Sequence, residues 1–137
     1  MTSVIEIIQL PKIMDERGNL TFIEAEKHIP FQIKRVYMIY DVPGGEIRGS
    51  HAFKKADEFI VCLSGSFDLV LNDGKNEHTI TLNRSYNGVY IPHGTWRTIR
   101  NFSTNSLCLV ISSTDYSQED YIRDFNTFKE FIKHERK

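Results

Sequence analysis

A surplus of basic charge is missing from this chain. Seventeen Lys and Arg stand against eighteen Asp and Glu, leaving a net charge of −1 over 137 residues. Proteins that grip a nucleic-acid backbone usually carry a strong positive excess, so no nucleic-acid partner is expected. Long apolar runs are missing too. None approaches the roughly 20 residues that cross a bilayer as a helix, so no membrane partner is expected. The N-terminal stretch MTSVIEIIQLPKIMDERG has early acidic residues and no small-residue cleavage site, which argues against a signal peptide. Cysteine is scarce. Cys62 and Cys108 lie inside apolar runs far apart in sequence and read as buried thiols of a cytoplasmic protein, not as a disulfide. There is no internal repeat, low-complexity stretch or linker.

What remains is an ordinary globular composition, 40% hydrophobic, 26% charged and 12% aromatic. The length suits a single domain over 1–137. A chain of this size can bury roughly two-thirds of its unfolded surface, so it needs neither a disulfide nor a metal to fold.

Most local signals are those of short strands. SVIEIIQ (3–9) is a β-branched run closed by Pro11, and LTFIE (20–24) follows an Asp-Glu-Arg-Gly turn. IKRVYMIY (33–40) alternates Ile33, Arg35, Tyr37 and Ile39 against Lys34, Val36, Met38 and Tyr40. Both faces carry apolar bulk, which predicts a strand covered on both sides. FIVCL (59–63) reads as a buried strand. Residues 67–71 pair with 77–82 across Asn72-Asp73-Gly74, whose Asp-Gly tolerates the positive φ of a tight hairpin. Further strands are expected at 88–91, 97–101 and 106–112. From Gln118 onward the period changes. Tyr121, Ile122, Phe125, Phe128 and Ile132 recur every three or four residues, predicting one amphipathic helix capped by Ser117, with Asp120 as its capping-box partner. The expected class is all-β, a small barrel or jelly roll with one C-terminal amphipathic helix.

The segment GGEIRGSHAFKKADEFIVCLSG spaces Gly45, His51, Phe53, Glu58 and Gly65 as in the first motif of the cupin superfamily, which it resembles. GVYIPHGTWRTIRN (88–101) is similar to the second motif. A metal-binding cupin offers two motif-one histidines, the glutamate and a motif-two histidine. Here Phe53 and Arg97 occupy two of those positions. Phenylalanine has no lone pair, and arginine is a fixed cation that repels a metal ion. His51 and Glu58 alone are too few ligands for a catalytic transition metal, and His93 lies four residues before the usual ligand position. No metal is expected. A neutral imidazole can still accept and return protons near physiological pH. Arg48, Arg35 and Tyr37 are the groups expected to join it.

The ordered set Asp15-Glu-Arg17-Gly18-Asn-Leu20, Ile29-Pro30-Phe31-x-Ile33-Lys34-Arg35-Val36-Tyr37, Arg48-Gly49-x-His51-Ala52-x-Lys54-Lys55, Pro92-x-Gly94-x-Trp96, Asp115-Tyr116 and Asp120-Tyr121-Ile122-Arg123 resembles the WxcM-like sugar-nucleotide 3,4-ketoisomerases, a branch of the cupins. The resemblance implies a jelly-roll homodimer with exchanged N-terminal strands and no cofactor. It implies action on a dTDP-linked keto-sugar, moving the carbonyl of the 4-keto-6-deoxyglucose from C4 to C3 ahead of an aminotransferase that makes 3-amino sugars for surface polysaccharide. His51 matches the family's base and Tyr37 an active-site tyrosine able to donate to a sugar oxygen. Arg35 and Arg48 are assigned to the diphosphate. Arg17 belongs to a loop near the sugar, with a lean toward the galacto-configured product. Arg97 adds positive charge to the mouth, and Trp96 either packs or stacks on the thymine. Phe53, where the family usually has a second histidine, leaves three readings open: isomerisation by His51 alone, a related step such as epimerisation, or non-catalytic binding of a sugar nucleotide.

Overall fold

The computed structural model describes residues 4–135. Two five-stranded antiparallel sheets face each other. The first comprises β1 (Glu6–Gln9), β9 (Asn87–Ile91), β6 (Glu58–Ser64), β11 (Leu107–Ser112) and β4 (Arg35–Tyr40), in that spatial order. The second runs β12 (Tyr121–Ile122), β5 (Arg48–Phe53), β10 (Trp96–Arg100), β7 (Phe67–Asn72) and β8 (Glu77–Leu82). A small hairpin joins β2 (Lys12–Ile13) to β3 (Leu20–Thr21), and helix α1 (Phe125–Glu135) closes the described chain.

Period-two alternation sorts the side chains. Ile39, Ile60, Cys62, Leu69, Leu71, Ile99, Cys108 and Val110 fill the space between the sheets. On the far side of the first sheet Phe59, Val61, Tyr90 and Ile111 are buried under Leu10, Ile29 and Phe31. That second layer explains why FIVCL is apolar throughout. Each such fully buried side chain contributes roughly 1.5–3 kcal/mol. Cys62 and Cys108 are buried free thiols opposite one another on β6 and β11, and burial pushes the Cys108 thiol up to about 12.

Two elements differ from the sequence-based expectation, and a third is legible only through its motif. Residues 48–53 form a strand although RGSHAF has no apolar run, because its inward positions serve the site rather than the core. The outer face of β4 is uncovered within one chain, with Val36, Met38 and Tyr40 all exposed. The helix begins at Phe125 and not at Gln118. Ser117 is extended and its hydroxyl donates to Glu119 instead of capping. Residues 118–120 form a single 3₁₀ turn, and Tyr121–Ile122 pair with Phe53 and Ala52 as an edge strand. Asp124 does the capping, its Oδ2 accepting from the Thr127 amide at 2.9 Å. From there α1 lays Phe128 and Ile132 over Ala52, Ile122 and Trp96 on the outer face of the second sheet.

Candidate active site

Polar side chains gather inside one end of the barrel. Register brings them there from five strands: Ser112 of β11 lies beside Arg35 of β4 on one flank and Glu58 of β6 on the other, while His51 of β5 lies opposite Arg97 of β10. Between His51 and the start of β5 the register slips by one residue at Gly49, whose φ is +67°. A Cβ there would fall 2.4 Å from Arg97 Nη1, so only glycine admits the guanidinium.

Arg97 is almost wholly enclosed and spends its donors on protein. Nε donates to Glu58 Oε1 at 2.6 Å, Nη1 to the Gly49 carbonyl at 3.0 Å and Nη2 to the Tyr37 hydroxyl at 2.7 Å. Burial works against its charge, but the Glu58 carboxyl outweighs that and holds the guanidinium above its ordinary value. Tyr37 in turn donates to Glu58 Oε2 at 2.5 Å. Desolvation, with Glu58 beside it, keeps the phenol protonated well above the usual tyrosine range. The free phenolic donor expected for a sugar oxygen is therefore engaged, since one hydroxyl has one proton and Glu58 takes it. The substrate-facing cation expected at position 97 is likewise a buried strut.

His51 is 8% exposed. Phe53 and Tyr121 flank its ring, each at 4.9 Å between centroids, and its Nε2 is buried without a hydrogen-bond partner. Desolvation, then the charges of Arg97, Arg123 and Arg35, lower its pKa to about 2. The imidazole is thus neutral, with a free nitrogen, in a strongly electropositive setting. Arg35 lies near it, its guanidinium 5.4 Å over the Tyr37 ring, and its Nε is a second buried polar atom without a partner.

The remaining expected residues lie elsewhere. Arg48 is exposed at the start of β5, opposite Ile99. Arg17 is on the exposed turn between β2 and β3, paired with Asp15 through Nε and Nη2 at 3.0 and 2.9 Å. Trp96 is on the face of β10 opposite to Arg97. Its ring meets Phe125 at 5.3 Å and Phe128 at 5.7 Å under α1, so packing is its role and the thymine-stacking alternative has no place at this mouth. His93 is fixed outside the cluster, Nδ1 lying 2.8 Å from Asp57 Oδ1. Glu58, the other residue matching a cupin metal ligand, has both oxygens engaged by Arg97 and Tyr37. Sequence reasoning missed Tyr121 and Arg123, because it placed them on a helix.

Two facing antiparallel sheets with a buried imidazole and a buried guanidinium inside one end define a cupin-type barrel. Within that class the chain belongs to the WxcM-like family: the family model FdtA, described as WxcM-like, C-terminal, matches residues 3–133. A curated TDP-4-oxo-6-deoxy-alpha-D-glucose-3,4-oxoisomerase from Aneurinibacillus thermoaerophilus is 42% identical over 127 residues, covering 93% of this chain and 91% of that one. A solved 3,4-ketoisomerase from Helicobacter canadensis is 40% identical, with a TM-score of 0.91 over 94% of this chain and 97% of that one. The H51N variant of the 3,4-ketoisomerase QdtA from Thermoanaerobacterium thermosaccharolyticum, solved with TDP-4-keto-6-deoxyglucose, is 35% identical, with a TM-score of 0.93 over 98% and 97% of the two chains.

Proposed function

We propose that this protein is a TDP-4-oxo-6-deoxyglucose 3,4-oxoisomerase in which His51 moves the proton. The observation that carries this reading is the buried, unpartnered Nε2 of His51 in an electropositive barrel end. The C3 hydrogen of the substrate is acidified by the neighbouring C4 carbonyl. His51 takes that proton, and the electron pair forms the enediolate. The imidazolium returns a proton to C4 while the O3 hydroxyl loses its proton and O4 gains one, giving the 3-keto, 4-hydroxy isomer. Arg35, whose Nε–H has no protein partner, supplies a donor to the developing oxyanion or the adjoining phosphate. Tyr37 and Arg97 act as positioning residues that hold the floor beneath the imidazole. The two negative charges of the diphosphate offset the surrounding arginines, so substrate binding raises the basicity of His51 where it is needed.

Phe53 lends no proton-transfer group, and its edge-to-face contact supports His51 acting alone. The working form proposed is a cytoplasmic homodimer with exchanged N-terminal strands. The uncovered apolar face of β4 supports association, and exchange would substitute a partner's strand in the pairing that β1 makes with β9. Incubation with TDP-4-keto-6-deoxyglucose in deuterium oxide tests the activity. Solvent deuterium at C3 or C4 together with 3-keto product is expected, and the absence of both would reject it. In His51→Asn, exchange should fall at least a thousandfold while TDP binding persists.

A further inference from the structure

Two carbons must be served in a carbonyl shift from C4 to C3, and the cluster holds one group suited to serve them. The polar side chains around the His51 ring are committed. Arg97 donates to Glu58, Gly49 and Tyr37, and Tyr37 places its only proton on Glu58. Arg35 and Arg123, whose charges also act on His51, are fixed cations that give up no proton near neutral pH. Two residues along β5 from His51, on the same inward face, stands Phe53. It is 3% exposed. Its ring meets the imidazole edge to face at 4.9 Å and the Tyr121 ring at 4.6 Å, with the Arg97 guanidinium 5.6 Å over it. Tyr121 is also 4.9 Å from His51, so the three rings touch pairwise, and Nε2 of the imidazole is buried.

A base so enclosed cannot cross from one face of a bound hexose to the other. In a gluco-configured ring H3 and H4 project from opposite faces. The base that removes H3 therefore stands on the H3 face, and the proton it returns to C4 arrives on that same face, opposite to where a gluco ring carries H4. We propose that His51 transfers the proton suprafacially from C3 to C4, giving the galacto configuration at C4, and that Phe53 holds a hydrocarbon ring beside the imidazolium so that part of the abstracted proton is returned before it exchanges. The C3–H bond breaks as Nε2–H forms, and the electron pair enters the enediolate. Nε2–H then breaks as C4–H forms, while the O3 proton passes to O4, so no outside donor is consumed. Phe53 is a positioning residue in this scheme. The proposal rests on the isomerase reading and adds to it the stereochemistry and a use for the residue at 53.

Substrate deuterated at C3, turned over by the full-length protein in protiated buffer and stopped at low conversion, tests it by NMR. Deuterium is expected at C4 in a measurable fraction of a galacto-configured 3-keto product. Phe53→His should lower this carry-over several-fold, because a second titratable ring shares the proton. Phe53→Leu, which keeps the wall apolar, should slow turnover and keep the carry-over. Tyr121→Phe should leave both the configuration and the carry-over as in wild type, and a change in either would make Tyr121 the second donor and overturn the scheme. A gluco-configured product would overturn it by revealing a donor on the opposite face. A product with no deuterium at C4 would overturn it by showing complete exchange with solvent. Equal carry-over in wild type and Phe53→His would strip Phe53 of its role. Absence of any 3-keto product would reject the isomerase reading itself, whereas normal turnover with any of the other adverse outcomes rejects this transfer alone.

Discussion

The fold strongly resists ionisation of His51. Its pKa falls from 6.5 to about 2 on burial among arginines. The unfolded chain then binds a proton below about pH 6.5 that the folded chain does not. The stability this group contributes is fully present above that pH and is lost as pH drops, by at most about 1.4 kcal/mol per unit. Urea unfolding of the wild type and His51→Asn at pH 7.0 and 5.5 should show the wild type losing about 1 kcal/mol more than the variant, and parallel losses would refute the shift. The same depression predicts that kcat/KM, which reports the free enzyme, has no acid limb near 6.5. Arg97 and Glu58 make a second test. Removing one member strands a buried charge, so Arg97→Met should cost about 3–5 kcal/mol in urea unfolding. Replacing both, in Glu58→Leu/Arg97→Met, should recover much of that stability while leaving the His51 site without its floor.

At the scale of elements, β12 is only two residues long, yet it carries Tyr121 to within 4.9 Å of the His51 ring. Its anchor is Asp120, which accepts the amides of Lys55 at 2.7 Å and Ala56 at 3.2 Å. Asp120→Ala orphans both donors and should cost about 1–3 kcal/mol. Amide exchange at Lys54, Lys55 and Ala56 should rise before that of β6, and unchanged protection would show that the strand is held by something else. This element also marks where sequence reasoning stopped. The strands of the barrel were legible because Ile33–Tyr40 and Phe59–Leu63 show period-two or continuous apolar patterns. The Tyr121 and Ile122 spacing fits both an extended pair and a helical stripe, and only the edge of β5 decides between them. RGSHAF could be recognised through its motif and not through hydropathy, since a strand that serves a site inverts the usual inward pattern. Trp96 could have been excluded from the mouth by alternation, because Arg97 and Ile99 share the opposite face. The engagement of Tyr37 with Glu58 depends on β4 and β6 flanking β11, a tertiary neighbourhood that no local window contains.

The whole molecule poses a question that one chain leaves open on its surface. Val36, Met38 and Tyr40 are 51%, 54% and 62% exposed on the outer face of edge strand β4, and Leu63 adds 42%. A two-sided apolar strand with one side bare is the pattern of a face covered by another molecule. The proposed homodimer would supply that cover, and it would also give a use to the β2–β3 hairpin, whose Ile13, Met14 and Leu20 are exposed and whose Arg17 is paired with Asp15 of its own turn. In a dimer with exchanged N-terminal strands, Arg17 is available to the partner's barrel. Met38→Glu places a charge in the middle of the bare face, where it must be desolvated on association. Light scattering should then report a monomer of 16.0 kDa in place of twice that mass. Activity should fall with dissociation and return as protein concentration rises. Arg17→Met should lower activity without changing mass. A wild type that is already monomeric at working concentration, or a Met38→Glu variant that stays dimeric, would remove this face from the interface and leave Arg17 a solvated charge paired with Asp15.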